Sequence, residues 1–250
     1  MEKAELLERI EGGRTDLVFE LLRLPDWRDV LREGRVRAMQ WFVYYGDVTA
    51  MKAVQEAGGD LTSIDLDDEL GNAAFFGHWK MCDFLIQNGA NVRAAHPETG
   101  ETPLHNALAK AGRPYFLFVI RRLVEAGADV NARTTSGKET GAFMRDVRTR
   151  GETPLHRAAA YASAETIEYL LAHGADRAAR DAHGASPLTW ASEHLRPGRI
   201  LQLLAFDEHQ IGARSVERIT SDHGAGWGNG MEWNFIGDYL PERGPDSGGN

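Results

Sequence analysis

The sequence predicts an all-α solenoid of about six helix-turn-helix units, and three recurrences carry that prediction. The tetrapeptide Thr-Pro-Leu-His stands at Thr102-Pro103-Leu104-His105 and at Thr153-Pro154-Leu155-His156, and a weaker copy, Ser186-Pro187-Leu188-Thr189, follows 33 residues after the second. A Gly-Ala or Gly-Gly pair lies 21 residues after the first position of a unit at Gly58-Gly59, Gly89-Ala90 and Gly174-Ala175. A further glycine falls nine residues after that position at Gly13, Gly46 and Gly77. Self-similarity at a fixed period of this size is the mark of a repeat architecture.

Anchoring each unit on the threonine position gives Ala4, Arg37, Asp68, Thr102, Thr153 and Ser186, with spacings of 33, 31, 34, 51 and 33 residues. The units fall near 1–33, 34–65, 66–96, 97–133, 150–181 and 182–205, with an inserted segment at 134–150. In the first unit, Leu6 to Leu24 keep the helix-turn-helix pattern, Pro25 replaces the Gly-Ala pair, and Asp26 to Glu33 read as a short helix, which suits an N-terminal cap. The fourth unit carries four extra residues before Gly127-Ala128, around Ala111 to Tyr115. Ile200 to Leu204 complete a shortened last helix.

The fifth unit shows the physics of each repeat. Leu155, Ala158 and Ala159 set one face of its first helix, and the alanines allow close approach of the neighbouring pair. Ile167, Leu170 and Leu171 supply the larger apolar face of the second helix at three- and four-residue spacing. Proline fits the first turn because the amide it lacks has no partner there, and Gly174 can close the second helix in the left-handed conformation. One such pair cannot bury its apolar face alone, so stacking stabilises the array.

Thr-Pro-Leu-His followed by alanines, then an apolar helix ending in Gly-Ala-Asp, resembles the ankyrin repeat. The resemblance covers residues 1 to 205 and is strongest from 84 to 192. It implies short β-type finger loops between units, and recognition through the finger tips and the exposed side of the first helices. It also implies that His105 and His156 make structural hydrogen bonds between neighbouring turns, and that His78 fills the family's Gly-His turn position. Asn131 matches the residue type and position hydroxylated in some eukaryotic ankyrin proteins.

Composition bounds the function. The net charge of −9 argues against a general nucleic-acid binder, which carries a basic face. No apolar run approaches the roughly 20 residues that span a bilayer, and Met1 to Glu5 lack a signal pattern, so a cytoplasmic location is expected; the chain is also expected to be a monomer. Cys82, the one cysteine, is read as a packed core residue. No nucleophile elbow, phosphate loop or metal-ligand frame appears, so no catalytic residue, cofactor or metal is assigned. Residues 207–250 hold nine of the 27 glycines and, with eight acids and three arginines, a net charge of −5. Trp227, Trp233, Phe235, Ile236, Tyr239 and Leu240 give this extension, 206–250, an apolar cluster that can cap the last unit or lie in the groove.

The sharpest functional signal lies in the two residues before each turn glycine: Tyr44-Tyr45, Phe75-Phe76, Ala109-Lys110, Ala160-Tyr161 and Glu193-His194. Five aromatics sit where polar residues are usual, and Trp41 and Trp190 extend the same side. Such aromatics carry much of an interface's affinity, although large residues in units two and three can also fill gaps left by the missing alanines. The inserted segment adds four basic and two acidic groups with an apolar tip, Phe143-Met144, followed by the basic Arg145. The reading is a non-enzymatic module that binds a partner protein through Trp41, Tyr44, Tyr45, Phe75, Phe76, Lys110, Phe143, Met144, Arg145, Tyr161, Trp190 and His194, as a scaffold, inhibitor or immunity-type protein. The alternative is a small-ligand binder or enzyme with a pocket between that face and the extension, using His194, His209, Asp222 or His223.

Overall fold

A computed structural model describes residues 2–34, 36–109, 115–141 and 149–207. Among them are thirteen α-helices: α1 (Lys3–Glu11), α2 (Val18–Leu21), α3 (Trp27–Val30), α4 (Ala38–Tyr45), α5 (Val48–Glu56), α6 (Leu66–Phe76), α7 (Trp79–Gln87), α8 (Pro103–Ala107), α9 (Phe116–Glu125), α10 (Pro154–Tyr161), α11 (Ala164–Ala172), α12 (Pro187–Glu193) and α13 (Gly198–Leu204). The first helices α1, α4, α6, α8, α10 and α12 pack side by side in one layer. The second helices α2, α5, α7, α9, α11 and α13 form the other. One continuous core runs between them, from Leu6 and Ile10 through Phe42, Met51, Leu85 and Leu123 to Leu204. Connections between units are turns, and among the described residues they contain no strand.

The repeated motif works as a helix start. Thr102 and Thr153 hold extended backbone as N-caps, and each hydroxyl lies 2.9 Å from the Nδ1 of the histidine three residues on. That reciprocal arrangement satisfies backbone donors at a helix N-terminus that have no partner within the helix. The far nitrogen of each ring reaches the next unit: His105 Nε2 to the Glu152 carbonyl at 3.4 Å, and His156 Nε2 to the Ala185 carbonyl at 3.1 Å. Both side chains are buried. Burial holds the His105 imidazole well below its ordinary value, helped by the nearby Arg157 cation, and burial brings His156 down to about 4. These histidines are neutral struts between units, as the resemblance implies.

The third unit departs from the expected register. Its cap is Asp65, whose carboxylate accepts the amides of Asp67 and Asp68, so α6 begins at Leu66, two residues before Asp68. Both helices still end at the turn glycine: Gly46 and Gly77 take left-handed backbone at φ 70° and 83°.

The long unit is closed by charge. Arg157, on the first helix after the insertion, is wholly buried; its guanidinium reaches the Glu152 carboxylate at 2.7 and 2.8 Å, the Glu101 carboxylate at 2.8 Å and the His105 carbonyl at 2.9 Å. Glu152 also accepts the Thr134 hydroxyl at 2.8 Å, and Glu101 accepts the Gly141 amide at 2.9 Å. Both ends of the insertion's base are thereby tied to the stack. The sequence signal was available in the six-residue duplication Gly-Glu-Thr-Pro-Leu-His, since each copy places its glutamate, Glu101 or Glu152, just before the cap.

Candidate functional site

The first helices of units two and three end in a connected aromatic surface. On α4, Trp41, Tyr44 and Tyr45 follow the three- and four-residue spacing of one helix face. The opposite face, Ala38, Met39, Phe42 and Val43, is buried in the core. Tyr44 stands edge-on to Trp41, Tyr45 and Phe76 at ring separations of 5.6, 4.9 and 4.8 Å, and Phe76 meets Phe75 at 5.2 Å. Tyr44 and Tyr45 remain 44% and 41% exposed, while Trp41, Phe75 and Phe76 are half-buried. Backbone bonds fix the cluster: the Tyr45 hydroxyl donates to the Glu11 carbonyl at 2.7 Å, and the His78 ring lies 2.9 Å from the Tyr44 carbonyl oxygen.

Tyr161 and Trp190 do not join that surface. Tyr161 is 3% exposed and Trp190 is fully buried, so neither presents its ring on the outer face. The cause is the way units five and six end. No glycine turn follows α10, whose C-cap Ala162 is extended. Arg196 lies buried over this end, donating to the Ala160 carbonyl at 2.7 Å and to the Ala162 carbonyl. Half-buried His194 packs edge-on against Tyr161 at 5.7 Å and stacks near Trp190 at 6.2 Å. The Trp190 indole donates to Asp181 at 2.9 Å, and Arg150 approaches the same carboxylate at 3.6 Å. Burial pushes the Asp181 carboxyl up, but the Trp190 donor and the Ala185 and His183 amides outweigh it and leave it below its ordinary value. Lys110, Phe143, Met144, Arg145, His209, Asp222, His223 and the aromatic cluster of 227–240 lie outside the described residues.

Four exposed aromatics were missed by projecting from the anchors: Phe19 at 52%, Trp79 at 36%, Tyr115 at 52% and Phe118 at 58%. Tyr115 sits beside Gly77, next to the aromatic surface. Trp79 and Phe118 face each other across α7 and α9 at 6.4 Å. Periodicity could have found Phe118, because the buried residues of α9 are Phe116, Val119, Ile120 and Leu123, and position 118 falls off that stripe.

Toward the other end of α6 the surface changes character. A cavity of about 420 Å³ opens between α6, the 94–97 turn and the start of α8. Asp65, Asp67, Asp68 and Glu101 line it with His96 and Asn106, and among the described residues no lysine or arginine does. Behind it, burial pushes the Glu69 carboxyl up, and the Gln40 and Asn72 amides that donate to it only partly oppose that shift. Cys82 is buried in α7 and its thiol is pushed up to about 12 by burial, which suits packing and not nucleophilic chemistry. Asn131 is engaged between fingers, donating to the Gly174 carbonyl and accepting the Asp176 amide, both at 2.9 Å. Among the described residues no helix is long and apolar enough to cross a membrane.

Comparison with known proteins agrees with this geometry. Family models described as ankyrin repeats match residues 72–114 and 135–215, and a single ankyrin repeat matches 99–135. The chain is 39% identical over 106 residues to human Rabankyrin-5, which covers 42% of this chain and 8% of that protein. It is 30% identical over 162 residues to human neurogenic locus notch homolog protein 2, covering 57% of this chain and 6% of that one. Zebrafish (Danio rerio) ankyrin repeat and SOCS box protein 11 is 33% identical over 125 residues, covering 50% and 36%. The chain therefore spans well under half the length of each of these relatives. With paired helices in two layers, Thr-Pro-Leu-His caps bridging successive units, and family matches that together run from 72 to 215, the chain belongs to the ankyrin repeat family.

Proposed function

We propose that this chain is a non-enzymatic protein-binding module that captures its partner on the aromatic surface of Trp41, Tyr44, Tyr45, Phe75 and Phe76. The observation that carries the reading is the exposure of Tyr44 and Tyr45 within a cluster of five contiguous rings. Scattered exposed apolar residues are normal on a protein surface, whereas a contiguous aromatic patch marks a contact site. The buried Cys82 and the strut histidines offer no reactive group near it. The described start of the inserted segment lies at the acidic end of α6, where Gly141 is held by Glu101, which lines the cavity there. A second contact from that segment follows naturally.

The test is affinity capture with quantitative mass spectrometry, comparing the wild type with a Tyr44→Ala/Phe76→Ala variant shown to be folded by circular dichroism. A partner held by the wild type should lose at least about thirtyfold in affinity, the scale of one central aromatic hot spot. Equal capture by both proteins would remove the aromatic surface from the binding site.

A further inference from the structure

The outer face of α6 joins two chemistries on one line. Asp68, Asn72, Phe75 and Phe76 follow spacings of four, three and one residues, so they share a helix face. Asp68 and Asn72 are exposed, and Asp65 caps the same end. The face therefore runs from carboxylates at the finger end to aromatic rings at the turn end. Among the described residues, the Asp65, Asp67 and Asp68 carboxylates have no lysine or arginine partner; Asp65 accepts the amides of Asp67 and Asp68, and Asp67 accepts the Asn91 amide at 2.6 Å. Glu101, the fourth carboxylate of the cavity, is already paired with Arg157, which it shares with Glu152.

Carboxylates that no described lysine or arginine compensates, set beside the apolar surface, select a partner by charge. Opposite charge across an interface speeds encounter and fixes register, and like charge rejects the wrong partner. We infer that the occupant of this face is a cationic segment of a partner protein, with lysine or arginine in the Asp65–Asp68 cavity and an apolar or aromatic anchor on the Tyr44–Phe76 rings. The spacing follows from the helix. Seven to eight residues from Asp68 to Phe75 and Phe76 rise about 11–12 Å at roughly 1.5 Å each. An extended peptide covers that length in about three to four residues, which sets the separation between the basic residue and the anchor. The inference rests on the protein-binding reading and adds the chemistry of the partner.

The experiment is selection of a phage-displayed library of short random peptides on the full chain, in parallel with Asp68→Lys, Asp68→Asn and Tyr44→Ala/Phe76→Ala, each confirmed folded by circular dichroism. The Asp68 side chain holds no hydrogen bond among the described residues, so Asp68→Asn preserves shape while removing charge. The expected result is enrichment on the wild type of peptides with lysine or arginine about three to four positions from Trp, Phe or Leu. Synthetic copies should bind Asp68→Lys about tenfold more weakly and lose affinity as salt rises. Peptides enriched without basic residues, binding Asp68→Lys as well as the wild type yet lost on Tyr44→Ala/Phe76→Ala, would overturn the charge inference and leave the aromatic contact standing. Selection that fails on every protein, or that ignores Tyr44→Ala/Phe76→Ala, would overturn both.

Discussion

Replacing Arg157 by methionine should be the most damaging single change in the inner layer. The guanidinium lies 2.7 Å from Glu152 and 2.8 Å from Glu101, and all three side chains are buried or nearly so. At 2.7 Å, with an effective dielectric constant of about 20, one such pair gains roughly 6 kcal/mol of attraction. Desolvation costs several kcal/mol per ion and offsets most of that. The network is therefore near balance when intact and costly when half removed. Arg157→Met leaves Glu152 buried with only the Thr134 hydroxyl as a described side-chain donor, at 2.8 Å, and should cost about 3–5 kcal/mol. Arg157→Met/Glu152→Gln removes both charges and should recover at least about half of that loss. Urea denaturation gives the free energies, and amide exchange read on peptides from α8 and α10 localises the loss, since repeat arrays can open regionally. A single variant within about 1 kcal/mol of the wild type, or a double variant as damaged as the single, would refute the picture of a compensated buried ion network.

The strut histidines make stability depend on pH. A histidine whose folded value lies below its unfolded one binds its proton more readily in the unfolded chain, so its contribution is complete above about 6.5 and is lost as pH falls toward the folded value. For His156, at about 4, the loss between those limits is on the order of 3 kcal/mol, and His105 adds in the same direction. Urea midpoints measured from pH 7.5 to 4.5 should fall, and His156→Gln should flatten the slope; an unchanged slope would remove the histidine from the account. Two turn glycines should respond differently to alanine. Gly174 at φ 88° has open space around its missing Cβ, so only left-handed strain of about 1 kcal/mol applies. Gly46 at φ 70° would place that carbon 2.7 Å from His78 Nδ1, so Gly46→Ala should cost roughly 2 kcal/mol or more, and equal melting temperatures for the two variants would count against this. Trp190→Phe removes the donor to the buried Asp181 carboxylate and should cost about 1–3 kcal/mol by the same urea titration.

Local features of this fold were legible because they are short-range. Caps, turn glycines and the paired helices follow from residues three, four and nine apart, and the Thr-Pro-Leu-His histidines stand where the motif puts them. The third unit slipped because its first helix is longer: Asp65 caps it, and Asp68 already lies inside α6. The Arg157 network was hidden by distance along the chain, since the guanidinium joins a carboxylate 56 residues away and a carbonyl 52 residues away. Tyr161 was misplaced by a rule that holds only where a glycine turns the chain. At α4 and α6 a left-handed glycine turns the chain, and the preceding aromatics are exposed at Tyr44 and Tyr45 and half-buried at Phe75 and Phe76. At α10 an extended Ala162 takes its place, and Arg196 folds across the end.

That difference in how first helices end accounts for where the candidate site lies. The aromatic positions of units two and three and of units five and six are equivalent in the repeat, yet one pair of units presents its rings and the other buries them. The buried pair is also where polar side chains penetrate the inner layer: Arg157, Glu152, Asp181 and Arg196 all lie there, each held by hydrogen bonds to a neighbouring unit. Those bonds have well-defined geometry, which favours a rigid platform at that end. In the first half α4 and α6 each contribute small and large apolar residues to the core, Glu69 is the buried carboxyl of α6, and the aromatic surplus lies on the other side of these helices. The exposed aromatic rings and the internal reinforcement thus occupy different halves of one array, with Glu101 at the junction, lining the acidic cavity on one side and accepting the Arg157 guanidinium on the other.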